Sequence, residues 1–220
     1  MRLLSLNVGL PRQIPWHGYQ IATSIFKEPV AGRVALHTLN LDGDRQSDLT
    51  VHGGRDKAVY CYPVAHYDWW KQQLPGFPLP AGVFGENFTL ESPLEDSIHI
   101  GDRFAIGTAE VVVTQPRMPC YKLGIRFGSD QMVRRFHESG RNGYYVAVAR
   151  EGEVGAGDEF LPLHQDPAAV SIAEILHLYA ANAFTPEDAD RTRAALNVDA
   201  FPASWKAWFE DKLRRLAPHR

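Results

Sequence analysis

Residues 109–120 read Ala-Glu-Val-Val-Val-Thr-Gln-Pro-Arg-Met-Pro-Cys. The first six are rich in branched side chains, which suit a pleated, half-buried surface and predict a β-strand. Pro116 and Pro119 follow at once. Each lacks an N–H and fixes φ, so together they end the ladder and stiffen the turn. Cys120 therefore falls at a strand end in a rigid bend, with Arg117 and Lys122 close in sequence. Neighbouring cations favour a thiolate over a thiol, and a thiolate is either a nucleophile or a soft metal ligand. The plainer reading is a buried cysteine acting as a small hydrophobe. It suits Cys61 better, inside Ala58-Val59-Tyr60-Cys61-Tyr62, an interior strand without fixed charge.

Working outward, short apolar runs separated by 18 glycines and 15 prolines mark a β-rich chain with irregular connections. Strands are predicted over 3–8, 33–41, 58–61, 97–100, 103–106, 109–114, 143–149 and 159–163. Two helices are embedded, over 63–73 and 130–139. After His164 the pattern turns helical. Ile172, Ile175, Leu176 and Tyr179 share one face. Thr185-Pro186-Glu187-Asp188 reads as an N-cap, and Trp205, Phe209, Leu213 and Leu216 line a last helix. The expected architecture is a mainly β, barrel-like domain over 1–165 and a small three-helix domain over 166–220. Trp69-Trp70, Trp205 and Trp208 read as core or interface residues.

The 220 residues are 45% hydrophobic, 22% charged and 11% aromatic, the range of a globular protein. A net charge of −3 excludes a chain built to coat nucleic acid. No apolar run is long enough to span a bilayer, and no signal peptide is read at the N-terminus. Two cysteines make no disulfide framework, so a cytoplasmic, reduced protein is expected. Neither C-x-x-C nor H-E-x-x-H occurs, and the common hydrolase, P-loop and dinucleotide signatures are missing.

Two further clusters could carry chemistry. Residues 43–57 hold Gly43-Asp44-Arg45-Gln46-Ser47-Asp48 and then His52-Gly53-Gly54-Arg55-Asp56-Lys57. Gly53-Gly54 would let backbone N–H groups approach an anion, with positive charge nearby; a polar hairpin turn is the alternative. In Gly82-Val83-Phe84-Gly85-Glu86-Asn87, two glycines hold a polar pair that either presents Asn87 to a ligand or satisfies a turn.

Residues 43–63, 82–91 and 98–123, in this order and spacing, resemble the MOSC domain, named for the C-terminal domain of molybdenum cofactor sulfurases. The tail resembles a three-helix unit appended in a bacterial branch that protects cells from N-hydroxylated base analogues such as 6-N-hydroxylaminopurine. The resemblance implies a barrel-like fold binding molybdenum cofactor (molybdopterin), and reduction of N-hydroxylated compounds to amines. It places the metal ligand at Cys120. Ser47 stands where alanine is frequent. Gly53, Gly54, Arg55, Lys57, Asn87 and Arg117 are the expected cofactor-holding residues, and Asp48, His52 or Glu86 the proton relay. No flavin, nicotinamide or iron–sulfur signature is present, so a separate electron-donating flavoprotein reductase is expected, with a small N-hydroxylated substrate and a homodimer as the commonest closed assembly. The rivals are a non-catalytic carrier of the cofactor or of persulfide sulfur, and a cofactor-free thiol enzyme with His52 or His99 as base.

Overall fold

The computed structural model describes residues 1–47 and 53–216. Its strands are β1 (Leu3–Val8), β2 (Arg12–Trp16), β3 (Tyr19–Thr23), β4 (Glu28–Pro29), β5 (Arg33–Leu36), β6 (Val59–Pro63), β7 (Phe88–Leu90), β8 (Arg103–Ile106), β9 (Ala109–Pro116), β10 (Tyr144–Arg150), β11 (Gly152–Gly155) and β12 (Phe160–His164). The helices are α1 (Ala65–Gln73), α2 (Tyr121–Phe127), α3 (Gln131–Glu138), α4 (Ile172–Ala180), α5 (Pro186–Leu196) and α6 (Ala203–Leu216). With six helices beside the strands, the fold is sheet-rich but mixed rather than mainly β.

The main sheet has eight strands in the order β12-β8-β9-β10-β6-β7-β1-β4. Neighbours are antiparallel except β6 and β7. Beyond that ladder, Arg2 bridges Glu159 and Phe160 N donates to the Met1 carbonyl, so the start of β1 meets the start of β12 and the sheet curls strongly. β9 is its spine, flanked by β8 and β10, with Val111 and Val113 fully buried. It ends at Pro116, paired with Tyr144, as a residue without an N–H should end it.

The strand predicted over 97–100 does not form. Only His99 makes a bridge, to Ser171. The Asp102 carboxylate takes the His99 N–H at 2.9 Å and folds the segment into a turn.

The tail forms its helices with strong caps. Ser171 with Glu174, and Thr185 with Asp188, make reciprocal capping boxes. Ile172, Ile175, Leu178, Phe201 and Phe209 belong to the same buried cluster as Val111, Val146 and Phe160 of the sheet. A second, aromatic cluster gathers Tyr60, Tyr62, Trp70, Phe84, Phe127 and Phe136 beneath the cleft described next. No helix among the described residues is long and apolar enough to cross a membrane.

Candidate functional site

β9 delivers its last residues to one end of the sheet. Arg117 N donates to the Gly143 carbonyl at 3.1 Å, and Asn142 Nδ2 to the Arg117 carbonyl at 2.9 Å. The turn is held from both sides. Cys120 follows in extended conformation at the N-cap of α2 and is partly exposed. Cys61, in contrast, is sealed in the core, where burial pushes its thiol well up.

Cys120 and Arg117 line a cleft with Ser24, Lys27, Lys57 and Lys122 among its other walls. Its interior is about 100 Å³ and opens to solvent at the mouth. Arg117 is 5% exposed, and its guanidinium lies over the rings of Phe136 and Tyr60, 4.9 and 5.3 Å from their centroids. Its Nη1 has no hydrogen-bond partner among the described residues. A buried cationic donor left unsatisfied is costly, so an anionic acceptor from a ligand fits here.

Among the described residues the lining carries Lys27, Lys57, Arg117 and Lys122 against one carboxylate, that of Asp44. Lys27 and Asp44 are ion-paired and nearly inaccessible. Burial lowers the ammonium pKa of Lys27, against the pull of Asp44, and burial also lowers that of Lys57. Lys122 Nζ donates to Ser47 Oγ at 2.8 Å, so Ser47 acts as a cleft-side acceptor. An acidic chain thus carries a locally cationic cleft.

Asn87 anchors the cleft wall from below. Its Oδ1 accepts from Tyr60 N at 3.1 Å, while its Nδ2 donates to Asp44 Oδ2 at 2.9 Å and to the Asn7 carbonyl at 3.2 Å. Its amide protons are therefore committed within the protein, and Asn87 positions the site. Glu86 is fully buried and accepts from Tyr67 OH, Gly82 N, Phe84 N and Thr89 Oγ1. Burial raises its pKa, against these hydrogen bonds.

Gly82 and Gly85 allow a close approach. Both have φ of +84°, and a Cβ would come to 2.9 Å from the Lys27 carbonyl oxygen at Gly82 and from Ile25 Cγ1 at Gly85. The loop they shape presses on Ile25 and Lys27, which line the cleft.

The structure brings Gly53, Lys57, Asn87, Arg117 and Cys120 to one cleft. Gly54 borders it without lining it. Arg55 instead lines a separate cavity with Asp56 and Asp199, because the short 3₁₀ turn Arg55–Lys57 points alternate side chains apart. Glu86 faces the loop interior. His99 is held by Asp102 outside the cleft. Asp48 and His52 lie outside the described residues. Ser24, Lys27 and Tyr145 also line the cleft, unmarked by any local motif. Among the described residues no three metal-ligating side chains cluster.

The chain belongs to the MOSC domain family, whose model matches residues 48–160. It is 39% identical to the uncharacterized protein YflK of Bacillus subtilis over 98% of this chain and 96% of that one. The crystal structure of YiiM from Geobacillus stearothermophilus superposes with a TM-score of 0.79 at 32% identity, covering 96% of this chain and 98% of that one. A Gibberella moniliformis protein named "Reductase" is 31% identical over 64% of this chain but only 26% of its own length.

Proposed function

We propose that the protein is a molybdenum-cofactor-binding oxidoreductase that reduces N-hydroxylated compounds, including nucleobase analogues such as 6-N-hydroxylaminopurine, to their amines. The observation that carries the proposal is a partly exposed thiol at Cys120 in the same cationic cleft as a buried guanidinium with an unpaired nitrogen. A pterin bearing a phosphate and a soft metal needs both. Membership of the MOSC family and the fungal relative's name agree with that reading.

Bound in the cleft, the cofactor would supply two-electron redox chemistry at its metal. Cys120 would offer the protein's soft ligand. Arg117, Lys57 and Lys122 would neutralise the phosphate, with the Gly53 backbone beside them. Asn87 holds the walls in register. Reduction of R–NH–OH to R–NH₂ and water consumes two electrons and two protons. The electrons would come from a separate flavoprotein reductase. Hydroxide leaves poorly unless protonated, and Asp48 or His52 would relay the proton. Glu86, enclosed by four donors, supports the loop instead.

The same reading takes the curled sheet as a barrel-like MOSC core, residues 166–220 as its appended helical unit, a homodimer as the assembly and the cytoplasm as the compartment. The test is elemental analysis of protein made in a molybdenum-competent host, paired with reduction of N-hydroxylaminopurine by an artificial electron donor. Molybdenum near one atom per chain with turnover is expected. Molybdenum without turnover would favour a carrier, and sulfane sulfur on Cys120 without molybdenum would favour a sulfur carrier.

A further inference from the structure

Ser24 follows β3 directly and is 9% exposed. Its hydroxyl lies on the cleft wall and has no hydrogen-bond partner among the described residues. Buried hydroxyls are seldom left so, because the lost water is replaced by nothing. Asp44 and Asn87, which line the same cleft, are already engaged. Asp44 takes Lys27, Gly9 N and Asn87, and Asn87 is saturated by Tyr60, Asn7 and Asp44.

The hydroxyl is also held in place. Ile25 N donates to Thr23 Oγ1 at 3.2 Å and Lys27 N to the Ile25 carbonyl at 3.0 Å, which fixes the chain on the C-terminal side of Ser24. Gly82 and Gly85 clamp Ile25 and Lys27 from the other side. The wall is therefore preset around an unused donor, which a ligand can meet without reordering the chain. Among the described residues, Arg117 Nη1 is the other unpartnered buried polar side-chain atom in the same lining. A guanidinium only donates, and a hydroxyl can donate. Among the described residues the lining's lysines outnumber its one carboxylate, which is already paired.

We infer that Ser24 is a ligand-binding residue of the cleft, donating its hydroxyl to an oxygen of a phosphate monoester whose charge Arg117 helps to neutralise. The inference deepens the proposed function by adding a residue for the phosphate-bearing end of the ligand; it needs no redox chemistry.

The test compares wild type, Ser24→Ala and Ser24→Thr, using inorganic phosphate as the probe in a thermal-shift titration and elemental analysis for molybdenum. Ser24→Ala removes a hydroxyl with no internal partner, so its melting temperature without phosphate should equal or exceed that of wild type. Its phosphate affinity should fall about tenfold, the loss of one hydrogen bond to a charged group. Its molybdenum content should fall in parallel. Ser24→Thr keeps the donor and should retain most of both. Unchanged phosphate affinity in Ser24→Ala, or no phosphate binding by wild type, would overturn the inference. So would a clear drop in melting temperature without ligand, since the hydroxyl would then have a structural partner. Ser24-dependent phosphate binding by protein that never acquires molybdenum would keep this inference and remove the redox reading. Full molybdenum content in Ser24→Ala would do the reverse.

Discussion

Asp44 and Asn87, 43 residues apart, meet through a 2.9 Å hydrogen bond from amide to carboxylate. Asp44 also takes Gly9 N at 2.8 Å and pairs with Lys27, while Asn87 holds Tyr60 N. One amide and one carboxylate thus tie β1, β6, the 24–27 segment and the 82–87 loop into a single wall. Asn87→Ala should leave Asp44, Tyr60 N and the Asn7 carbonyl short of partners. We expect a loss of at least about 2 kcal/mol in urea unfolding. Lys27→Met should cost about 3–5 kcal/mol, because it leaves a buried carboxylate without its cation.

The two cysteines should separate function from stability. Cys120→Ser should reduce the molybdenum content of purified protein at least tenfold and abolish N–OH reduction, with little change in melting temperature. Cys61→Ser places a hydroxyl in a sealed apolar strand and should cost about 1–3 kcal/mol. The surviving folded protein should keep its molybdenum. Equal loss of metal from both variants would remove the assignment of Cys120.

Glu86 gives a pH signature. Burial raises its pKa above the ordinary 4.5 despite its hydrogen bonds. A group whose folded pKa is raised contributes stability that is complete below its unfolded pKa and lost as pH rises through the folded one. Wild type should therefore lose unfolding free energy relative to Glu86→Gln as pH climbs above about 4.5. Denaturant midpoints of the two proteins at several pH values check this, and a flat difference would show that the folded protein does not hold the proton more tightly.

Phe209 tests how the tail is joined. It is fully buried in the cluster that also holds Val111 and Phe160. Phe209→Ala should cost about 3–5 kcal/mol. If the packing is as continuous as the cluster, calorimetry should show one cooperative transition at a lower temperature. A new early transition confined to helical signal would show that residues 166–220 unfold by themselves.

Much of this was legible in the chain because it is local. The branched run 109–114 and the prolines after it place β9 and its end, and Thr185-Pro186 places the start of α5. The hairpin of β2 and β3 escaped because Pro15 and an unremarkable His17-Gly18 turn hide it. Helix α2 escaped because it is only seven residues long and contains Gly124. Cys120 and Arg117 are legible as chemistry-bearing types in one short run, and Lys57 as a cation beside Gly53-Gly54 in another; that the two runs share a cleft is tertiary. Ser24 carries no such signal. What singles it out is the lack of a hydrogen-bond partner, and partners are fixed only by tertiary packing. The same holds for Asn87: its residue type could be read as ligand or as turn, and only the geometry of Asn7, Tyr60 and Asp44 shows which.

The cleft takes residues from 23–27, 44–47, 53–60, 85–87, 117–122 and 145. No fragment of the chain owns it. An occupant that recognises this assembly cannot recognise the unfolded polypeptide, so occupancy acts as a thermodynamic brake on unfolding of the whole molecule, worth about 2.7 kcal/mol when the free ligand stands at a hundred times its dissociation constant. Shortage of that occupant in the cell would lower the abundance of the protein itself, through faster proteolysis, before any change in catalysis were measured.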